Sequence, residues 1–141
     1  MQRSKSGIDN TLSEELRSPT LTDYTAGAIM AVGLMRIWSM LLGTYSEFFS
    51  RVPERGLAVT TFFIYLLSGA AASYLVCTRA SSKHLVVGLK VAALSWVFSL
   101  FLAFSATPAP TLGMVTALLV TLAAGGLAGA YLVLRVRLTP K

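Results

Sequence analysis

Four stretches of this chain run for about twenty residues with almost no charge: Thr25–Gly43, Leu57–Cys77, Leu85–Phe104 and Leu112–Leu134. A helix rises about 1.5 Å per residue, so each stretch is long enough for a helix to cross a hydrocarbon layer of about 30 Å. The last three carry a single charge between them, Lys90. A soluble bundle shows polar stripes at helical period where its outer face meets water, and these stretches show none. The composition agrees, with 55% hydrophobic and 13% charged residues, against about 25% charged in an ordinary soluble domain. The expectation is an all-α integral membrane protein: a four-helix bundle at 25–135, between a polar, largely flexible segment 1–24 and a short basic tail 136–141.

The net charge of +6 raises nucleic acid as a partner, but its distribution reports orientation instead. With four spans, Arg3, Lys5, Arg17, Arg79, Lys83, Arg135, Arg137 and Lys141 fall on one side, and only Arg51 and Arg55 on the other. The positive-inside rule places both termini in the cytoplasm, and no nucleic acid is expected. The first 24 residues contain four acids and no apolar h-region, so they do not read as a cleaved signal; the first span would serve as an uncleaved anchor. Within them, "SEEL" offers Ser13 as a cap for a short surface helix, but the segment is expected to be mobile. The single cysteine, Cys77, excludes an intramolecular disulfide and a multi-cysteine metal site.

The connections differ in character. Thr78–His84 and the Pro-interrupted Ser105–Thr111 are short, which forces their flanking helices to be antiparallel neighbours. The longer Thr44–Gly56 mixes Tyr45, Phe48 and Phe49 with Glu47, Arg51, Glu54 and Arg55, a blend suited to about a turn of helix in the outer headgroup region. A shift of 57 residues lays "SGAAASYLV" (68–76) over "GGLAGAYLV" (125–133), while Trp38 and Trp96 align at 58. Two origins fit this likeness: two tandem helical hairpins of the same orientation, or convergent small-residue composition beside a tyrosine.

Small residues form lines along the helices. Gly113, Ala117, Thr121, Gly125 and Gly129 fall on one ridge of the fourth span, Gly88, Ala92, Ser95, Ser99 and Ala103 run along the third, and Ser68 with Ala72 lies beside Gly69 with Ser73 on the second. In lipid, helices gain little from the hydrophobic effect by associating, so close backbone approach through small residues holds them together. Gly125 and Gly129 are therefore candidates for packing the chain's own helices or for a contact with a second copy.

Arg36 is the one charge well inside the first span, and no span contains an acid to pair with it. A central arginine costs about 2.5–3.5 kcal/mol on the insertion scale, and Ile29, Val32, Leu34, Ile37, Leu41 and Leu42 at about 0.5 each return roughly as much. Two fates fit. The side chain snorkels outward, past Gly43 and towards Glu47, or it faces a partner's carboxylate or an anionic ligand. Met30, Gly33, Arg36, Met40 and Gly43 share a face whose two glycines favour packing on protein. Lys90 is near enough to a span end to snorkel. His84 stands alone at the same interface, and Cys77 is expected to pack as a small apolar residue, with palmitoylation as the alternative.

No Ser-His-Asp set, phosphate-binding loop, His/Cys cluster or paired intramembrane carboxylates can be assembled from the sequence, so neither an enzyme nor a cofactor is expected. The leading expectation is a non-enzymatic accessory or interaction subunit of the cell membrane. It acts through helix–helix association, with Arg36, Gly125 and Gly129 as contact candidates, and membrane lipids plus a partner subunit or second copy as partners. The alternative is a small homo-oligomeric transporter or channel.

Overall fold

The computed structural model describes residues 19–105 and 109–138, so the segment that carries Ser13 lies outside the described residues. Five helices account for most of them: α1 (Leu21–Thr44), α2 (Ser46–Phe49), α3 (Glu54–Thr78), α4 (His84–Phe104) and α5 (Leu112–Leu138). The four long ones are apolar and long enough to cross a membrane.

Each helix begins where local chemistry dictates. Thr20 caps α1 in a reciprocal box: its side chain accepts from the Asp23 amide, and the Asp23 carboxylate accepts from the Thr20 amide at 3.0 Å. This satisfies donors that a helix start leaves unpaired. The helix begins at Leu21, four residues ahead of the apolar run that starts at Thr25. Pro53 precedes α3, where its missing amide costs nothing. Lys83 turns the chain into α4 at φ 55°, ψ 38°, the left-handed region that costs a side chain about 1–2 kcal/mol. At the far end α5 runs on to Leu138, so the first three residues of the expected tail, 136–138, are helical. Arg137 explains it: the guanidinium donates to the carbonyls of Ala80 at 2.9 Å and Thr78 at 2.7 Å, tying this last turn to the α3–α4 connection.

The bundle consists of two antiparallel hairpins, α1–α3 and α4–α5. Each is clamped by its own tryptophan. Trp38 donates its indole N–H to Thr61 Oγ1 at 3.0 Å, and Trp96 donates to the Val115 carbonyl at 3.1 Å. The hairpins meet along α3 and α5, which run parallel: a Cβ built on Gly125 meets Leu66 and Ala70, and one on Gly129 meets Ala70 and Tyr74. These pairings bring the two segments of the 57-residue likeness face to face.

Burial is confined to one end. No residue of α1 beyond Met35, of α3 before Ser68, of α4 beyond Ser95 or of α5 before Thr121 is buried. All of the core therefore lies in the half of the bundle that holds the start of α1 and the end of α5. Its side chains are small: Ala28, Ala31, Ala72 and Ala130 are fully buried together with Cys77. Hairpins joined by small residues approach closely. In the opposite half large apolar side chains such as Phe62, Phe63, Phe101 and Met114 are exposed, and the helices border an open cavity.

A candidate binding cavity in the open half

The glycine seam sets the geometry of both halves. Gly88 of α4 and Gly126 of α5 are so close that a Cβ on Gly88 would stand 2.5 Å from the Gly126 carbonyl, and one on Gly126 2.7 Å from that of Gly88. Ser73 of α3 joins them. Fully buried, it donates to the Gly126 carbonyl at 2.6 Å, so α3, α4 and α5 meet at one point. Gly125 and Gly129, the sequence candidates, sit in the α3–α5 seam of this same chain, where a Cβ on either would collide with backbone atoms of α3. Their ridge does not continue. Ala117 is exposed and Gly113 has nothing within 4 Å of a built Cβ, so the line is seam at Thr121, Gly125 and Gly129 and free surface beyond.

Beside the seam, Cys77 is fully buried and directs its thiol to the His84 carbonyl at 3.3 Å, which suits the expected packing role. His84 is also buried, 6% exposed, and its Nε2 has no hydrogen-bond partner. The sequence placed this histidine at an interface, and the tight α3–α4 connection turns it inward instead. Outside it, Arg79 pairs with Asp23 at 2.6 Å; its side chain is 71% exposed, and such a pair contributes about 0–1 kcal/mol.

In the open half the hairpins border a cavity of about 220 Å³ that is open to the outside, with Arg36, Ser39 and Met114 exposed. From α1 come Val32, Met35, Arg36 and Ser39, from α3 Tyr65, from α4 Ser99, Leu102 and Ala103, and from α5 Met114 and Leu118, with Pro110 ahead of it. The wall is mainly apolar, with one cation and three hydroxyls. Ser39 returns its hydroxyl to the Met35 carbonyl at 3.0 Å, whereas the Ser99 hydroxyl is buried without a partner. Arg36 lies eight residues before the end of α1, about 12 Å along the axis. Among the described residues no carboxylate pairs with it, Glu47 included, since the one ion pair is Arg79–Asp23.

The α1 face that carries Gly33 and Gly43 meets no other helix of this chain. Built Cβ atoms on Gly33 and Gly43 meet nothing within 4 Å, so these glycines pack on no other helix of the chain. Arg36 shares its side of α1 with Val32, Met35 and Ser39 instead. Tyr65 and Ser99 were not legible as site residues, because one tyrosine and one serine in an apolar helix have no signature until a neighbouring helix frames them. The aromatic content expected of the first connection is present: Phe49 meets Phe48 edge-on at 5.5 Å and Trp38 at 5.8 Å.

By fold, then, the chain belongs to the all-helical proteins with four helices long and apolar enough to cross a membrane. Compared with protein families, curated proteins and solved structures, it matches none of them.

Proposed function

We propose that this is a non-enzymatic integral protein of the cell membrane that works by association, with both termini in the cytoplasm and the open half of the bundle in the outer leaflet. The closed half holds the fold through the glycine seam. The open half receives a partner membrane subunit or a second copy, and Arg36 is its principal contact.

One observation carries this reading: an exposed arginine with no carboxylate partner among the described residues lies at a largely apolar, open cavity between two hairpins whose buried core lies at the other end. An ionisable group at this depth is costly unless something meets it, and helices in lipid associate through close van der Waals contact. A partner that supplies both a carboxylate and packing surface meets both conditions. Gly125 and Gly129 are already occupied by α3, which leaves the open half as the surface for association.

Affinity purification of the tagged chain in mild detergent tests this. The wild-type protein is expected to retain a stoichiometric membrane partner or a second copy, and Arg36→Leu to lose it while keeping its helical circular dichroism and melting temperature. A clean monomer from wild-type membranes refutes the association.

A further inference from the structure

The cavity itself is small for a helix and suited to a molecule. From its size, lining and charge the geometry points to a binding site for a lipophilic carboxylate with a single flexible chain, its carboxylate on Arg36 and its chain against Met35, Leu102 and Leu118.

Three features define this occupant. The cavity of about 220 Å³ is open to the outside, with room for the head and first part of a single flexible chain but not for a helix about 10 Å across. The wall is apolar over most of its area, so a charged or sugar-like body would lose hydration without replacement. Against that wall stand one guanidinium, whose planar fork suits a single carboxylate, and the Ser99 hydroxyl, buried without a partner.

Depth separates this occupant from a phospholipid. Arg36 lies about 12 Å inside the end of α1, below the level at which phosphates sit on a hydrocarbon layer of about 30 Å. A phosphate would have to be drawn into that layer together with its glycerol and headgroup to reach it, whereas a carboxylate ending a single flexible chain brings the same single charge inward with fewer polar atoms to desolvate. The site shares Arg36 with the association proposed above, so the two are measured separately.

Trp96 packs on the buried cluster that Leu102 and Leu118 also cover, which supplies a local reporter. The experiment uses Trp38→Phe protein in phosphatidylcholine nanodiscs, titrated with 8-bromooctanoate at a pH well above the acid's pKa, with 8-bromooctanol as the neutral probe. The bromine quenches Trp96 fluorescence on approach. Saturable quenching is expected, with an apparent Kd about tenfold tighter for the carboxylate than for the alcohol, the scale of one charge-assisted hydrogen-bonded contact. Arg36→Gln is expected to remove that preference. Ala103→Phe, which fills the cavity and keeps the cation, is expected to remove saturable quenching by both probes.

Equal affinity for acid and alcohol, non-saturating quenching, or a preference unchanged in both variants overturns the proposal. So does loss of the carboxylate's quenching when phosphatidylglycerol replaces phosphatidylcholine, which would assign the cavity to an anionic phospholipid. Quenching as expected from a protein that purifies without a partner overturns the association alone. A partner retained through Arg36 by a protein that shows no carboxylate preference overturns this site alone.

Discussion

Replacing Gly129 by alanine puts a methyl group where α5 rests on the backbone of α3. The added carbon would stand 3.0 Å from both the Ala70 carbonyl carbon and the Tyr74 nitrogen, and closer still to the Ala70 oxygen. Backbone cannot rotate away as a long side chain can, so the helices must part by about 0.5–1 Å, which on a dispersion potential forfeits a quarter to a half of each contact across the gap. If the seam makes no more contacts than one buried leucine, about 40–60 at about 0.1–0.2 kcal/mol each, the loss is about 1–6 kcal/mol. Alanine's better helix propensity returns at most about 1 kcal/mol. The net expectation is a destabilisation of about 2 kcal/mol, read as an earlier transition in an SDS titration followed by circular dichroism. Gly33→Ala is the control: the same propensity change, with nothing within 4 Å of the new methyl, and so no loss. Equal transitions for the two variants refute the close-packed seam. A Gly129→Ile variant that changes the size of the particle rather than its stability would place the seam between chains.

Two further expectations concern the same half of the bundle. Ser73→Ala removes the 2.6 Å bond to the Gly126 carbonyl and is expected to cost about 0.5–1 kcal/mol in the same titration, since interhelical hydrogen bonds in membrane proteins average about 0.6 kcal/mol; an unchanged transition shows that the bond contributes nothing net. Cys77 is fully buried, so a maleimide should label it only as the closed half opens, and Gly129→Ala should speed labelling by about thirtyfold if labelling follows the expected 2 kcal/mol. Rapid stoichiometric labelling of the native wild-type protein counts against this core.

The helices were legible because they depend on runs of apolar residues, a property of the local sequence. Their ends were less so. α1 starts four residues before the expected Thr25 because Thr20 and Asp23 form a capping box, a pattern present in the sequence but hidden inside a segment taken as polar. α5 extends to Leu138 because Arg137 finds the carbonyls of Thr78 and Ala80, partners far away in the chain. The small-residue lines were visible on α3, α4 and α5; the α3 line is buried throughout, whereas the α5 line is seam at Thr121, Gly125 and Gly129 and exposed at Ala117 and Gly113. No local property distinguishes Gly129 from Gly113; only the crossing of α3 makes one of them indispensable. Arg36 stood out as a charge without a partner in an apolar run. The cavity beside it, with Tyr65 and Ser99, depends on how far two hairpins separate, and that distance is written in neither hairpin.

By itself the sequence determined the number of long helices, the antiparallel run of those joined by short connections, and the presence of one arginine without an acid in the spans, because length, apolarity and charge are additive along a chain. The tertiary structure alone decided that the hairpins close at one end and border an open cavity at the other. Closure is a property of facing pairs: glycine opposite glycine lets the α4 and α5 backbones touch at Gly88 and Gly126, whereas Gly113, on the same helix, has no partner helix within 4 Å of a built Cβ. That asymmetry is why Gly125 and Gly129 hold the fold while Arg36 borders the open half.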